Sequence, residues 1–216
     1  MLAAVLKAPN QLVLEDVPVP EVGQQQVLVR VRSCGICQTD YKAIKGIRTN
    51  VTFPIIPGHE PAGVVAAVGE GVRGIKEGDE VIVQPSGFCG ACRMCRLGLT
   101  HYCEHAYVTG GDGPEDVRNG SFAEYVVTGA ETIYPRPPGI SFDAACQTEP
   151  VSGAWKGVIR NSEMRVGDDV FERFPQRAEA VGADVIDPGL AGVHGEQVGI
   201  HEIVRRHPLA QLLELP

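Results

Sequence analysis

Between Gln26 and Gly35 the chain reads QVLVRVRSCG, with Val27, Val29 and Val31 on one side of an extended backbone and Leu28, Arg30 and Arg32 on the other. That period of two predicts a half-buried strand. GVVAAVG, DEVIVQP and FAEYVVTG are further short apolar runs bounded by Gly, Pro or Asp. Short strands with frequent turn signals predict a barrel or sandwich over about the first 135 residues. The polar stretch GDGPEDVRNGS, residues 111–121, predicts a surface loop. Beyond it, Ser141 is a good N-cap for a helix through FDAACQTEPVSGAWKGVIR, which Pro150 should kink or split. Near the end, HEIVRRHPLAQLLEL reads as an amphipathic helix interrupted at Pro208.

Composition narrows the class. With 44% hydrophobic and 21% charged residues in 216, the chain is an ordinary globular protein, large enough for one domain or two small ones. The 26 glycines and 16 prolines support the turn-rich reading. A net charge of −8 without a basic stripe argues against a nucleic-acid partner. The opening MLAAVLKAPN lacks the basic region and apolar length of a signal peptide, and no apolar run is long enough to span a membrane. Seven cysteines without an export signal favour reduced thiols, metal binding and a cytoplasmic location.

Four of those cysteines carry the strongest chemical signal. Cys89, Cys92, Cys95 and Cys103 stand in FCGACRMCRLGLTHYC with the spacing C-x2-C-x2-C-x7-C. A two-residue gap lets neighbouring thiolates meet one small ion, and four thiolates complete the closed tetrahedral shell of a structural zinc site. Gly87, Gly90 and Gly98 favour a tight backbone, and Arg93 and Arg96 can offset the two net negative charges of the shell. The alternative, two disulfides in a secreted protein, has no other extracellular feature to support it.

A second constellation lies upstream. Cys37 sits in CGICQTD, His59 and Glu60 in PGHEPAG, and Glu149 in TEPVSG. Taken singly, GHE is a turn with a solvated histidine and a lone cysteine is a small buried apolar group. Together, Cys, His and a carboxylate can hold zinc with three protein ligands and leave one position open for a substrate oxygen.

These segments resemble the zinc-containing medium-chain alcohol dehydrogenases, including their polyol and threonine dehydrogenase-like members. GHEPAGVVAAVGEGV fits the signature G-H-E-x2-G-x5-G-x2-V at Gly58, His59, Glu60, Gly63, Gly69 and Val72. CGICQTD, the four-cysteine lobe, GSFAEYVV and TEPVSGAWKGV follow in the family's order, so the resemblance covers about residues 1–170. It implies a mainly β fold with some α: a GroES-like, partly open β-barrel catalytic domain over 1–150. It also implies one catalytic and one structural zinc, and alcohol oxidation with hydride transfer to NAD or NADP. The substrate would be a small secondary alcohol or polyol, and the assembly a homo-oligomer. Cys37 and His59 fall at catalytic zinc ligands, with Glu60 or Glu149 as the third. Thr39 falls where a hydroxyl accepts the substrate proton, and Asp40 where a carboxylate orients the zinc-bound histidine. Lys42 replaces the histidine that ends the proton relay in many members, and a lysine can serve there only if burial lowers its pKa.

The likeness breaks after RVGDDV. Family members continue into a strand, G-x-G-x-x-G and a helix that cradle the dinucleotide pyrophosphate. Here Val170 runs directly into FERFPQRAEAVGADVIDP, so about one βαβ unit of roughly thirty residues is missing from the pattern. Residues 151–190 therefore read as a truncated remnant of an α/β Rossmann domain, and 191–216 as an unrecognised tail in which His194, His201 and His207 are solvated or packing residues. On this reading NAD(P) binding is weak or absent. The alternative to an active oxidoreductase is a zinc-binding GroES-like domain without turnover. A thiol redox role for Cys34 and Cys37, as C-x2-C, is a weaker third reading, because such motifs normally open a helix in a βαβ setting and this one follows a β-rich run.

Overall fold

The structure is a computed structural model that describes residues 1–112 and 117–161. The expected remnant beyond residue 161, the tail and its histidines lie outside the described residues. Two compact units divide the chain: one is built on Met1–Thr148, and the other opens at Glu149.

The first unit is mainly sheet. Strands β1 (Leu2–Leu6) and β2 (Leu12–Asp16) form an antiparallel hairpin. Strands β3 (Gln26–Gly35), β4 (Glu60–Val68), β5 (Glu80–Val83), β10 (Tyr125–Gly129) and β11 (Ile133–Pro135) form a five-stranded antiparallel sheet in the order β10-β3-β4-β5-β11. Among the described residues the edge strands β10 and β11 do not pair with each other, so the barrel is partly open, as the family resemblance implies. The hairpin is tied on by backbone: Ala4 N–H donates to Phe122 O at 2.8 Å, and Leu6 N–H to Ile55 O at 2.8 Å.

A valine core holds the sheet. Val27, Val29, Val31, Val65, Val81, Val83 and Val126 pack with Cys34, all nearly inaccessible. β-Branched side chains suit a pleated surface, and burying each contributes about 1.5–3 kcal/mol. The expected alternation in β3 holds from Val29 through Arg32, where Arg30 and Arg32 are exposed. Leu28 is buried as well, but it stands outside the cluster that holds Val27, Val29 and Val31, as the alternation requires. A shift in the β3–β4 register between Val31 and Ser33 lets both Ser33 and Cys34 go inward. An extra residue at a bulge breaks the strict period of two.

Two short pairings bracket the chemistry-bearing loops. β6 (Ser86–Gly87) pairs with β7 (Tyr107–Val108) and closes the base of the cysteine lobe. The Tyr107 ring lies where a Gly87 side chain would be, so this glycine serves packing rather than the tight turn expected of it. Tyr107 Oη donates to Glu131 at 2.7 Å and accepts from Gly129 N–H at 3.0 Å, which anchors the lobe to the barrel. The stretch expected to be a surface loop instead contains the hairpin of β8 (Gly111–Asp112) and β9 (Val117–Arg118), and its end turns inward, with Ser121 fully buried.

Helix α1 (Gln38–Ile44) follows β3, and α2 (Arg93–Arg96) lies in the lobe. The helix expected after Ser141 is two: α3 (Phe142–Ala145), whose Ala144 N–H is capped by Ser141 Oγ at 3.1 Å, and α4 (Thr148–Trp155). Pro150 sits in the first turn of α4, where its missing N–H costs no intrahelical bond. Helix α3 is held to the sheet through Phe142, which lies under the guanidinium groups of Arg32 and Arg136, and through the Ser33–Asp143 hydrogen bond. In the second unit, the described residues complete α4 and a wider turn over Lys156–Arg160.

Candidate metal centres

Strand β3 ends at Gly35, and two residues later Cys37 becomes the N-cap of α1 in extended conformation. Its Sγ accepts Thr39 N–H at 3.5 Å. Asp40, at the third helical position, completes a capping box: its Oδ2 accepts Cys37 N–H at 2.9 Å. The other oxygen of Asp40, Oδ1, accepts Gly58 N–H at 3.1 Å and lies 3.4 Å from His59 Nδ1. One buried carboxylate thus caps the helix, holds the turn at Gly58 and faces the histidine ring. Gly58 has φ +94°, a left-handed conformation that favours glycine, and it turns the chain so that His59 and Glu60 enter β4 at the level of Cys37.

The structure brings together Cys37, His59 and Glu60: one ligand atom of each lies within 4.8 Å of the others. Thr39 Oγ1 stands beside them, 3.6 Å from Cys37 Sγ. Glu60 is buried, and it pairs with Gly35 in the β3–β4 ladder, where a side chain on Gly35 would overlap its carboxylate. Glu149 lies in α4, at the start of the second unit. Cys146 is buried against Ala62, Ile82 and Ala145, and its thiol is pushed up, chiefly by burial. Lys42 is exposed, so the burial that a lysine relay requires is absent.

A sulfur, an imidazole nitrogen and a carboxylate oxygen within 4.8 Å of one another suit zinc with three protein ligands and an open position. In the metal-free protein burial disfavours the charged imidazole of His59. The Asp40 carboxylate, and then Cys37, outweigh that, and the group is pushed up to about 9. The site therefore already favours positive charge at the point where the three ligands meet.

In the lobe, Cys89, Cys92, Cys95 and Cys103 also present their sulfurs within 4.8 Å of one another. Cys103 Sγ lies 3.6 Å from Cys89 Sγ and 3.9 Å from Cys92 Sγ. A tetrahedron with Zn–S bonds of about 2.3 Å separates its sulfurs by roughly 3.8 Å, whereas a disulfide needs about 2.05 Å. Backbone N–H groups aim at the sulfurs: Cys92 N–H reaches Cys89 Sγ at 3.3 Å, and His105 N–H reaches Cys103 Sγ at 3.3 Å. Gly90 and Gly98, with φ +69° and +76°, make the turns this requires. The N–H groups of Cys95 and Glu104 lower the Cys92 thiol to about 6, while burial and the neighbouring sulfurs push Cys95 up to about 12. Four thiols this close cannot all ionise without a cation between them, a charge that zinc would supply.

The C-x2-C pair is not a matched redox pair. Cys37 opens a helix, but it follows a strand of an antiparallel sheet rather than standing in a βαβ unit. Cys34, however, is buried in the valine core, and burial raises its thiol far above the ordinary range despite a 3.2 Å contact with Ser121 Oγ. Sequence reasoning passed over Gly35 and Ser121. Gly35 stood inside the CGIC run, and Ser121 closed the polar stretch at 111–121.

Residues 23–138 match the alcohol dehydrogenase GroES-like domain family. The chain is 37% identical over 169 residues to L-threonine 3-dehydrogenase of Klebsiella pneumoniae, covering 77% of this chain and 48% of that protein. Its fold matches a crystal structure of an NAD-dependent alcohol dehydrogenase with TM-score 0.69 and 34% identity, over 78% of this chain and 49% of the other. A cobalt- and zinc-bound thermostable alcohol dehydrogenase from Pyrobaculum aerophilum matches with TM-score 0.61 and 33% identity, over 69% of this chain and 44% of the other. The chain belongs to the zinc-containing medium-chain alcohol dehydrogenase family through its GroES-like domain. It spans about half the length of the relatives it matches. Among the described residues no helix is long and apolar enough to cross a membrane.

Proposed function

We propose that this chain carries the zinc-binding catalytic part of an oxidoreductase that oxidises a secondary alcohol or polyol, with NAD or NADP as hydride acceptor. The convergence of Cys37, His59 and Glu60 beside the Thr39 hydroxyl carries the proposal. A zinc ion held there supplies Lewis acidity, which eases loss of the proton from a substrate hydroxyl. A bound nicotinamide would supply the hydride acceptor, because zinc has no redox chemistry of its own.

The chain's own groups do the rest. Thr39 Oγ1, fixed by the first turn of α1, takes the substrate proton. Asp40 faces His59 Nδ1 and so leaves Nε2 for the metal, which fixes both tautomer and ring orientation. Glu60 is the third ligand in the first unit, and Glu149 is the alternative carried on the second. The exposed Lys42 leaves Thr39 to exchange its proton with solvent. The lobe holds the structural zinc.

A second reading, a zinc-binding domain without turnover, has support from the sequence, since no G-x-G-x-x-G stands after Val170. Two measurements separate the readings: calorimetric titration of the zinc-loaded chain with NAD and NADP, and assay of secondary alcohols and polyols with each. Saturable cofactor binding with turnover that Cys37→Ser abolishes supports the dehydrogenase. Zinc retention with neither binding nor turnover supports the second reading.

A further inference from the structure

The first turn of α1 shares a small cavity with the segment that follows the helix. Thr39, Asp40 and Arg48 line it together with the apolar Val51, Ile55 and Pro57. It holds about 10 Å³, the room that one water-sized group needs. Arg48 is placed by backbone and side chain alike: its N–H donates to Lys42 O at 3.1 Å, and its Nε donates to Asn50 Oδ1 at 3.1 Å. A guanidinium carries five N–H donors, and among the described residues no carboxylate pairs with this one. Asp40, the acid in the same cavity, has both oxygens occupied by Cys37, Gly58 and His59.

Arg48 therefore lines the same small cavity as Thr39, the residue proposed to take the substrate proton. A neutral alkyl substituent beside Arg48 would strip water from its donors and offer them no acceptor. An oxyanion would meet them with charge-assisted, bidentate hydrogen bonds, and one carboxylate or phosphate oxygen has the size the cavity admits. Resting on the dehydrogenase reading above, we propose that Arg48 is a specificity residue that selects alcohols bearing a carboxylate or phosphate close to the reacting hydroxyl.

The test uses the zinc-loaded, 15N-labelled full chain. The Arg48 Nε–H resonance is assigned with Arg48→Lys and followed during titration with 3-hydroxybutyrate, 2-butanol and inorganic pyrophosphate, with affinities measured by calorimetry. The expected result is a shift of that resonance with 3-hydroxybutyrate and about tenfold tighter binding than 2-butanol. Arg48→Gln should erase the preference, and Arg48→Lys should retain part of it. An unmoved resonance, or a preference that survives Arg48→Gln, overturns the proposal. A response to pyrophosphate but not to 3-hydroxybutyrate assigns the guanidinium to the cofactor's phosphates and also overturns it. If 3-hydroxybutyrate moves Arg48 while Cys37→Ser changes the binding of neither alcohol, the anion contact stands and the alcohol-oxidising reading falls.

Discussion

Gly35 and Glu60 face each other across the β3–β4 ladder, and the space a side chain would take on the first is filled by the carboxylate of the second. The end of one strand is thus cut away to admit a buried acid from the next. Gly35→Ala should force Glu60 out of line with Cys37 and His59 and cost ~1–3 kcal/mol as overpacking. Elemental analysis after dialysis against a chelator should then find the lobe zinc kept and the second zinc lost. Retention of both ions at wild-type affinity would show that Glu60 is not a ligand.

Asp40→Asn should weaken metal binding at the Cys37–His59–Glu60 site by about 10–100-fold, because the amide supplies one acceptor where the carboxylate supplies two and does not hold His59 in one tautomer. Competition with a chromophoric chelator measures the change. The lobe site, which makes no contact with Asp40 in its ligand set, should titrate as in the wild type.

Metal uptake should expel a proton from His59. The imidazole is pushed up to about 9 in the metal-free protein, so it is charged at neutral pH, yet it must be neutral to bind zinc. Apparent affinity should rise as pH climbs toward about 9. Calorimetry in two buffers of different ionisation enthalpy should show the released proton. The sign for the metal-free fold is the opposite. Its gain from the raised value is complete below the unfolded imidazole's ~6.5 and is lost as pH rises through about 9. Denaturant midpoints of the metal-free protein should therefore fall between those limits, a trend that His59→Gln should flatten.

Cys95→Ser should remove one zinc per chain, lower the thermal midpoint and leave the other metal in place. The remaining three sulfurs no longer close a shell, and structural zinc contributes directly to folding. An unchanged zinc count would refute the lobe assignment.

The sequence showed the architecture wherever chemistry and period coincide. Val27, Val29 and Val31 announced β3, and the spacing of Cys89, Cys92, Cys95 and Cys103 announced the lobe, because ligands three to eight positions apart meet through local turns. Ser121 was misplaced because a polar residue in a polar run gives no sign that the loop folds back under Gly58. Gly35 and Arg48 escaped notice for the same reason: the role of each depends on a residue far along the chain, Glu60 for one and the Thr39 cavity for the other.

The two centres also differ in what must exist before they can fill. All four lobe sulfurs come from the stretch Cys89–Cys103, closed at its base by the two-residue pairing of β6 with β7. Closing so short a loop loses little chain entropy. Cys37, His59 and Glu60 meet only after β3 and β4 have paired in register. With two zinc ions bound as proposed, an order of assembly follows: the lobe would capture its ion as a nascent segment, while the second ion would wait for the barrel. Zinc shortage during synthesis would then leave chains whose barrel is intact but whose upstream centre is empty, before it left chains without a lobe.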